Sequence, residues 1–521
     1  MLQIRNLNIS HKKDLRPLLK DFSLTLNPGD KAVIIGEEGN GKSTLLAWAF
    51  DPALVEPYAE AAGERIFPGE RLGYLPQELP EEEKALSVQA FFAADPSFWE
   101  IPPRQLARQL SLFGLEKDFP YREQSMGSLS GGERVKAALL RILLQEPTVL
   151  LLDEPSNDID LACLAWLEGF IRDFPGAVLF ISHDETLIEA SATMVVHLEQ
   201  LKKKQEPRFT VARTDYRTYM ENRQRDMANQ EQQAENERRA RRERDERYRR
   251  IFQSVEAAQR NVSRQDPSTA RLLKKKMHAV KSMGARFARE DEKMTALPEQ
   301  EEAIFFKLEG REREMPAGKT VLEYALPRLE TPAGRLLARD IFLRIRGAER
   351  IGLIGPNGAG KTTLLKKIAE ELLPRSDIRA LYMPQNYVEL LPPDMNALQF
   401  LNPSGELAEE TRVRTYLGSL RFTREEMEHP LQALSGGQRG KVLLLRLSLS
   451  DANVLLLDEP TRNFSPLSGP VIREIFAAFP GCIISISHDR KYLGEVCTKV
   501  YELTEAGLGE GDAGTPPLPE A

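Results

Sequence analysis

Two glycine-rich loops with a lysine and a hydroxyl residue at fixed spacing stand at residues 36–43 and 355–362. The first reads Gly-Glu-Glu-Gly-Asn-Gly-Lys-Ser and the second reads Gly-Pro-Asn-Gly-Ala-Gly-Lys-Thr. In a GxxxxGK(S/T) loop, the glycines allow backbone N–H groups to converge on phosphate oxygens at a helix N-terminus. The lysine places a positive charge beside the terminal phosphates, and the Ser or Thr offers a hydroxyl to Mg²⁺. The two loops therefore predict two sites for a nucleoside triphosphate.

An acidic pair follows each loop, and a glutamine and a histidine accompany it in the same order. Asp-Glu-Pro comes after four apolar residues at 153–155 and again at 458–460. The aspartate can orient Mg²⁺ through a water molecule, and the glutamate beside it can take a proton from an attacking water. The histidines follow later apolar strands and favour a γ-phosphate sensor, and each glutamine can place the water or Mg²⁺. The predicted catalytic residues are Glu154, Glu459, His183, His488, Gln77 and Gln385.

A Leu-Ser-Gly-Gly run stands between each phosphate loop and its acidic pair, at residues 129–132 and 434–437. Each run opens a predicted helix, Glu133–Leu144 in the first half and Gln438–Leu449 in the second. The N–H groups and the Ser hydroxyl at the start of such a helix form an anion site. Each half then has two phosphate-binding surfaces but needs only one for its own loop. We therefore expect head-to-tail pairing of the halves, with two ATP molecules between them.

Short apolar strands alternate with helical patterns in both halves, which is typical of mostly parallel α/β domains. A chain of 521 residues is too long for a single core, so we expect two such domains. The predicted buried strands are Lys31–Ile35, Val149–Leu152, Ala177–Ile181, Arg350–Ile354, Val454–Leu457 and Cys482–Ile486.

The segment between the halves is basic, although the whole chain has a net charge of −7. From Tyr216 to Thr295 there are 21 Lys or Arg and 13 Asp or Glu. Helix formers dominate up to a turn at 263–268, where Asp266 and Pro267 are suited to start a second helix. The pattern predicts an antiparallel helical hairpin, and the alternative is a disordered charged linker.

Apolar residues recur at helical spacing on both sides of that turn and predict the seam of the hairpin. They are Tyr248, Ile251, Phe252, Val255 and Val262 in the first arm and Leu273, Met277, Val280 and Phe287 in the second. Basic residues cluster near the tip, as contact with RNA phosphates requires, and the alternative is a solvated helix face. The predicted RNA-contacting residues are Arg260, Arg264, Arg271, Lys274, Lys275 and Lys276.

The composition argues against a membrane or secreted protein. No apolar run approaches the roughly 18 residues of a membrane span, and the N-terminus lacks the layout of a signal peptide. Cys163, Cys482 and Cys497 stand far apart in apolar segments, which is typical of buried thiols in a reducing cytosol. We therefore expect a cytoplasmic protein.

The order of these motifs resembles that of the ATP-binding cassette ATPases across most of the chain, and two cassettes joined by a charged helical linker look like the ABC-F subfamily. The Walker A positions of the family fall on Gly36, Glu37, Glu38, Gly39, Asn40, Gly41, Lys42, Ser43 and Thr44, and on Gly355, Pro356, Asn357, Gly358, Ala359, Gly360, Lys361, Thr362 and Thr363. Its ATP-contacting signature falls on Ser130, Gly131, Gly132, Ser435, Gly436 and Gly437. The metal ligands that the resemblance implies are Ser43, Gln77, Asp153, Thr362, Gln385 and Asp458.

The resemblance implies a domain order and a function. The expected domains are a first cassette at 1–205, a helical hairpin linker at 206–300, a second cassette at 301–506 and an acidic disordered tail at 507–521. Each cassette would combine a mostly parallel sheet with a helical subdomain. The implied protein is a monomeric ATPase that uses ATP and Mg²⁺ and binds the ribosome at the tRNA exit site, where its hairpin contacts rRNA or P-site tRNA near the peptidyl-transferase region. Ribosome-protection antibiotic resistance, a housekeeping role and a stress role stay open.

The chain departs from the family pattern after each Asp-Glu-Pro. The family usually has Asn-His-Leu-Asp, whereas residues 157–160 read Asn-Asp-Ile-Asp and residues 462–465 read Arg-Asn-Phe-Ser. Because the second copy lacks the aspartate that couples the two sites, we expect unequal hydrolysis. No clear aromatic precedes either phosphate loop where the family often stacks adenine, so the base selectivity stays open.

Two other functions stay open from the sequence. An ATPase subunit of a membrane transporter could be a tandem cassette, but it has no obvious use for a long basic hairpin. A DNA-repair or chromosome ATPase usually carries zinc-binding cysteines or a longer coiled coil.

Overall fold

The computed structural model describes residues 1–201, 206–261, 267–291, 295, 308, 313–331, 334–462 and 464–511. It divides into two compact units. One unit comprises Met1–Tyr216 together with Glu301–Ala521 and contains both halves with phosphate loops. The other unit is Arg217–Gln300, the basic segment.

The first half forms a mostly parallel sheet with a smaller antiparallel sheet beside it. The large sheet has the strand order β5-β6-β7-β3-β8-β9, in which only β9 is antiparallel, and the small sheet has the order β2-β1-β4. The strands β3, β6 and β7 are buried along their whole length, which explains their continuous apolar sequences. The strands are β1 Leu2–His11, β2 Pro17–Leu26, β3 Lys31–Ile35, β4 Ala59–Ile66, β5 Leu72–Leu75, β6 Val149–Asp153, β7 Ala177–Ile181, β8 Met194–Gln200 and β9 Glu206–Ala212.

Helices cover this sheet and build a subdomain between β5 and β6. Helix α1 follows the phosphate loop directly and packs its apolar side chains, such as Leu45 and Leu46, into the core beneath the sheet. Ser130 begins α6 with a reciprocal capping box to Glu133, so the Leu-Ser-Gly-Gly run starts a helix for a local reason. The helices are α1 Lys42–Phe50, α2 Glu81–Ala85, α3 Val88–Ala93, α4 Pro96–Glu100, α5 Pro103–Leu112, α6 Gly131–Leu144, α7 Leu161–Asp173 and α8 Glu185–Ser191.

The second half repeats this arrangement. Its large sheet has the order β13-β14-β15-β12-β16-β17, with β17 antiparallel, and β10 pairs with β11. The strands are β10 Thr320–Glu330, β11 Leu336–Arg346, β12 Arg350–Ile354, β13 Ala380–Met383, β14 Val454–Asp458, β15 Cys482–Ile486, β16 Lys499–Thr504 and β17 Gly507–Glu510. The helices, numbered after the α9 and α10 of the basic segment, are α11 Lys361–Leu372, α12 Ala397–Leu401, α13 Leu407–Ser419, α14 Arg424–Glu428, α15 Gly436–Leu449, α16 Gly469–Ala477 and α17 Arg490–Val496. The predicted pair of parallel α/β domains is confirmed.

Two predicted boundaries are wrong at the level of single strands. The predicted start of the hairpin linker, residue 206, belongs to the first cassette, because Glu206–Ala212 form β9, which pairs with β8 while Phe209 packs against Phe22. The predicted start of the disordered tail, residue 507, belongs to the second cassette, because Gly507–Glu510 form β17 on the edge of its large sheet. Both segments gain backbone hydrogen bonds from a neighbouring strand, which their polar composition does not reveal. Residues 512–521 lie outside the described residues.

The basic segment forms the predicted pair of antiparallel helices, α9 Tyr216–Arg260 and α10 Pro267–Asp291. Tyr248 packs edge-on against Phe287 across the seam, and Gln259 donates a hydrogen bond to the carbonyl of Leu273 at 3.2 Å. Val280 is buried, as predicted, but Ile251 is 45% exposed and lies outside the seam. Val262 and Arg264 lie outside the described residues.

The part of the molecule that the structure describes contains no helix with both the length and the apolar composition needed to cross a membrane. Its three cysteines are free thiols.

Candidate active sites between the two cassettes

Both phosphate loops place their lysine and hydroxyl residue at the start of a helix. Gly36 has φ 145°, and a Cβ atom there would lie 2.2 Å from the carbonyl oxygen of Leu198, so only glycine fits. Lys42 Nζ donates hydrogen bonds to the carbonyls of Gly36 (2.8 Å) and Glu37 (3.0 Å). In the second loop, Lys361 Nζ donates in the same way to Gly355 (2.7 Å) and Pro356 (3.1 Å). The loops are thus two copies of one phosphate-binding geometry.

The hydroxyl of each loop meets the aspartate that ends the neighbouring strand. Ser43 Oγ donates to Asp153 Oδ1 at 3.1 Å. Thr362 hydrogen-bonds to Asp458 in the same way, and the buried Oδ2 of Asp458 has no hydrogen-bond partner within the described residues. Burial, followed by repulsion from Glu154, raises the pKa of Asp153 to about 7. A hard divalent cation beside these oxygens would offset the burial of the carboxylates, so the donor set fits Mg²⁺.

The first catalytic candidate, Glu154, is surrounded by hydrogen-bond donors. Gln77 Nε2 (3.1 Å) and Asn157 Nδ2 (2.5 Å) both donate to its Oε2, while His183 Nε2 lies 3.0 Å from Oε1. Burial acts to raise the pKa of Glu154, but the hydrogen bond and charge of His183, with Asn157, lower the pKa to about 2. The carboxylate is therefore a weak base whose oxygens are already engaged.

The second catalytic candidate, Glu459, has few partners. The backbone N–H of His488 donates to its Oε2 at 3.3 Å, and His488 Nε2 is 3.6 Å from Oε1. Burial, followed by repulsion from Asp458, raises the pKa of Glu459 to about 8. Burial and the charge of Lys361 lower the pKa of His488 to about 4, and its buried Nδ1 has no hydrogen-bond partner within the described chain. Glu459 therefore has free lone pairs and a higher proton affinity than Glu154, and its ionised fraction, which grows as the pH rises toward 8, is the form that can act as a general base.

Backbone strain marks both catalytic candidates. Glu154 has φ 47° and Glu459 has φ 53°, a left-handed conformation that residues with a Cβ rarely adopt. The conformation turns each chain sharply after its buried strand, so that the glutamate follows the aspartate at the same edge of the sheet.

A cavity of about 460 Å³ lies at the second site and is walled by both cassettes. The second cassette contributes the predicted residues Lys361, Thr362, Thr363, Gln385, Asp458, Glu459 and His488, with Asn357, Gly358 and Gly360. The first cassette contributes residues 156–159 and His183. The cavity therefore collects most of the predicted residues of one ATP site, without Gly355, Pro356, Ala359 and the signature.

The two signatures meet the opposite loops differently. The N–H groups of Gly436 (3.2 Å) and Gly437 donate directly to the carboxylate of Glu38 in the first loop. The first signature reaches the second loop through Asp158, whose carbonyl abuts Gly131 and accepts a hydrogen bond from Asn357 Nδ2 at 2.6 Å. Head-to-tail pairing of the cassettes is therefore present, but the two composite sites are unequal.

Ion pairs hold the two cassettes together, and in each pair between described residues the cation lies on the second cassette. Lys441 pairs with Glu37 (2.9 Å), Arg462 with Asp158 (2.9 Å), Arg473 with Glu185 (2.7 Å), Arg490 with Glu168, and Lys491 with Glu185 (3.0 Å) and Glu189 (2.6 Å). The contacting faces are thus complementary in charge.

Arg473 forms the most buried of these pairs, since its side chain is only 4% exposed and that of Glu185 is 7% exposed. We expect Arg473→Met to weaken the closed pairing by about 3 kcal/mol, because a buried carboxylate loses its main partner and keeps only Lys491. Spin labels on exposed cysteines at Glu64→Cys and Arg344→Cys would report the shift to open molecules. The control is Arg424→Met, because Arg424 is exposed and, among the described residues, pairs only within its own helix, with Glu428. This control should leave the distance between the two spin labels unchanged.

A family model described as ABC transporter matches residues 19–157 and 338–462, which together make up about half of the chain. The chain belongs to this family of ATP-binding cassette proteins. Its cassettes are ATPase domains, and the predicted resemblance is confirmed. It is 28% identical to the ATP-binding protein Uup of Escherichia coli, over 93% of this chain and 78% of that protein. It is also 28% identical to the energy-dependent translational throttle protein EttA of Haemophilus influenzae, over 94% of this chain and 90% of that protein. Both relatives are ABC-F proteins.

Solved structures share the tandem fold. The archaeal ribosome recycling factor aABCE1, solved with the ribosomal stalk protein aP1, superposes with a TM-score of 0.57 at 17% identity, over 97% of this chain and 90% of that one. The RNase-L Inhibitor gives a TM-score of 0.53 at 16% identity, over 96% of this chain and 90% of that one. At this level of identity the likeness concerns the fold.

Sequence reasoning placed Glu37 and Glu38 among the residues that contact ATP, but it missed their contacts with the second cassette. The carboxylate of Glu37 accepts hydrogen bonds from Lys441, Ser465 and Ser468, none of which was predicted as a site residue. The available signal was two acidic residues in a loop that has to bind a polyanion.

Proposed function

We propose that this chain is an ATP-hydrolysing translation factor that binds the ribosome in its ATP-bound, closed state and leaves after hydrolysis. The observation that carries the proposal is the combination of two paired ATPase cassettes with a basic helical hairpin in one chain. A relative that spans 94% of the chain is named as a translational throttle protein, which favours the same class of activity.

The hairpin offers the chemistry that binding to RNA needs. Helix α10 has 25 residues and is therefore about 38 Å long. Arg271, Lys274, Lys275 and Lys276 are exposed on it, and no acidic side chain of the described residues pairs with them. Arg260, at the end of α9, is exposed and pairs with Glu256 at 2.9 Å. Such cations are free to neutralise phosphates and release counterions. Within the proposal the hairpin contacts P-site tRNA or rRNA from the tRNA exit site.

In the second site, Glu459 accepts a proton from the attacking water while His488 keeps that carboxylate in place. Mg²⁺ would be held by Thr362 and Asp458 with Gln385 there, and by Ser43 and Asp153 in the first site, and it would neutralise charge on the phosphates. Residues 156–159 of the first cassette wall the second site, and Asp158 among them abuts Gly131 of the first signature, so that hydrolysis can be coupled to separation of the cassettes.

The RNA contact can be tested by changing the hairpin alone. We expect replacement of Arg271, Lys274, Lys275 and Lys276 with glutamine to weaken ATP-dependent ribosome binding at least tenfold and to flatten its salt dependence, because fewer counterions are released. Co-sedimentation with ribosomes across a salt series measures both quantities, with Glu154→Gln and Glu459→Gln present in every chain so that ATP is not hydrolysed. The matched control replaces four exposed cations of the first cassette: Lys20, Arg104, Arg108 and Lys117.

Unaltered binding by the hairpin variant, or an equal loss in the control, would contradict the RNA-contacting role. A drug-susceptibility panel on cells that express the wild-type chain then separates antibiotic resistance from a housekeeping or stress role.

A further inference from the structure

Two acidic residues stand in the first phosphate loop, at the positions that Pro and Asn occupy in the second loop (356–357). Both carboxylates reach into the opposite cassette. Glu38 accepts hydrogen bonds from the backbone N–H groups of Gly436 and Gly437, one with each oxygen. These N–H groups begin helix α15, where the helix dipole stabilises an anion. The anion site of the second signature is therefore filled by a side chain of the first loop.

Glu37 is held as an ion in the same interface. Its carboxylate accepts hydrogen bonds from Lys441 Nζ (2.9 Å), Ser465 Oγ (2.7 Å) and Ser468 Oγ (3.1 Å). Burial acts to raise its pKa, but the charge of Lys441 and the hydrogen bond from Ser465 lower the pKa to about 2. Glu37 is therefore charged throughout the physiological range, and groups of the second cassette satisfy its oxygens.

The contact gives a physical reason for the unusual Ser465. The first cassette has an aspartate, Asp160, at the matching position, but an aspartate at 465 would place a second carboxylate against Glu37. A serine hydroxyl can instead donate a hydrogen bond to it. Residues 37 and 465 thus form a matched pair across the interface.

The second site lacks this arrangement. Its loop has no carboxylate at the matching positions, and Asn357 donates to the carbonyl of Asp158. Lys136, the counterpart of Lys441, lies over the ring of Trp166 instead of pairing with the loop. Within the described residues, no side chain accepts a hydrogen bond from the N–H of Gly131 or Gly132, and a cavity of about 460 Å³ lies at this loop. The first site therefore contains a carboxylate at the signature that faces it, and the second site does not.

We propose that Glu38 takes the place of a γ-phosphate at the signature of the second cassette, so that the closed molecule holds a nucleoside diphosphate in the first site and the triphosphate in the second. The α- and β-phosphates can still use Lys42 and the N–H groups of the loop. A γ-phosphate that reached toward the signature would meet two carboxylates of the same sign of charge. The inference deepens the proposed function and rests on its assignment of both loops as nucleotide sites.

The test isolates each site in the full-length chain and needs no ribosomes. Lys361→Ala leaves the first site as the main nucleotide site, and Lys42→Ala leaves the second. Calorimetric titration with ADP and with the non-hydrolysable triphosphate AMP-PNP, each with Mg²⁺, gives the preference of the remaining site. We expect the first site to bind ADP at least tenfold more tightly than AMP-PNP, and the second site to show no such preference.

Two double variants then examine the carboxylates in the Lys361→Ala background. Glu37→Pro with Glu38→Asn gives the first loop the residues that the second loop has at these two positions. Glu37→Gln with Glu38→Gln removes both negative charges with little change in the shape of the side chains. Both double variants are expected to abolish the preference for ADP. If the Pro-Asn variant does not fold, the glutamine variant provides the same test. Equal affinity of the wild-type loop for both nucleotides, or a preference that survives in the folded variants, would overturn the inference. Failure of AMP-PNP to bind the second site would instead overturn the assignment of that site in the proposed function.

Discussion

Glu459→Gln is expected to lower kcat for ATP hydrolysis at least 100-fold, the range that loss of a positioned general base produces. Glu154→Gln is expected to cost less than about tenfold. The reason for the difference is geometric: Gln77, Asn157 and His183 engage Glu154, whereas one backbone N–H donates to Glu459. A cavity of about 460 Å³ also lies at the second site, compared with about 240 Å³ beside Gln77, Asp153 and Glu154 in the first.

Steady-state phosphate release by the purified chain with saturating ATP measures both variants. Glu83→Gln is a suitable control for the loss of a carboxylate, because Glu83 pairs with Arg141 in the first cassette without lining either site. Equal losses of kcat in the two catalytic variants would show that both sites turn over, and a larger loss with Glu154→Gln would reverse the assignment.

The large sheets could be predicted from the sequence because their central strands are buried on both faces. Such strands need continuous apolar runs, and Val149–Leu152 and Ala177–Ile181 are runs of this kind. The edge strands β9 and β17 could not be predicted in the same way. They are stabilised by pairing with β8 and β16, and β9 has no regular apolar alternation, because Val211 is exposed along with Glu206 and Arg208.

The residues of each phosphate loop could be predicted because a single local geometry requires glycine, lysine and a hydroxyl residue in fixed order. The asymmetry of the two sites could be predicted only in part. The serine at 465 indicated unequal hydrolysis, but its contact with Glu37 spans 428 residues of sequence and depends on the register of the two cassettes. Contacts between the two cassettes depend on how their surfaces are aligned, and they leave no periodic pattern in the sequence of either cassette.

Glu154→Gln together with Glu459→Gln is expected to keep the chain on ribosomes whenever ATP is present. Without a general base the nucleotide persists, so the cassettes stay closed and the release step is missing. The lifetime of the complex should then lengthen by about the factor lost in hydrolysis, 100-fold or more. Translation in a cell-free system should fall as ribosomes become occupied. Glu459→Gln alone should act almost as strongly, since the second site carries most of the hydrolysis in this account.

Co-sedimentation of the double variant with ribosomes tests the claim that ATP-dependent closure is what binds this chain to its partner. We expect the double variant to pellet with ribosomes in ATP, and to stay in the supernatant in ADP, while the wild-type chain is retained only weakly in either nucleotide. A double variant that hydrolyses no ATP, binds it with unchanged affinity and still remains free of ribosomes would contradict the account.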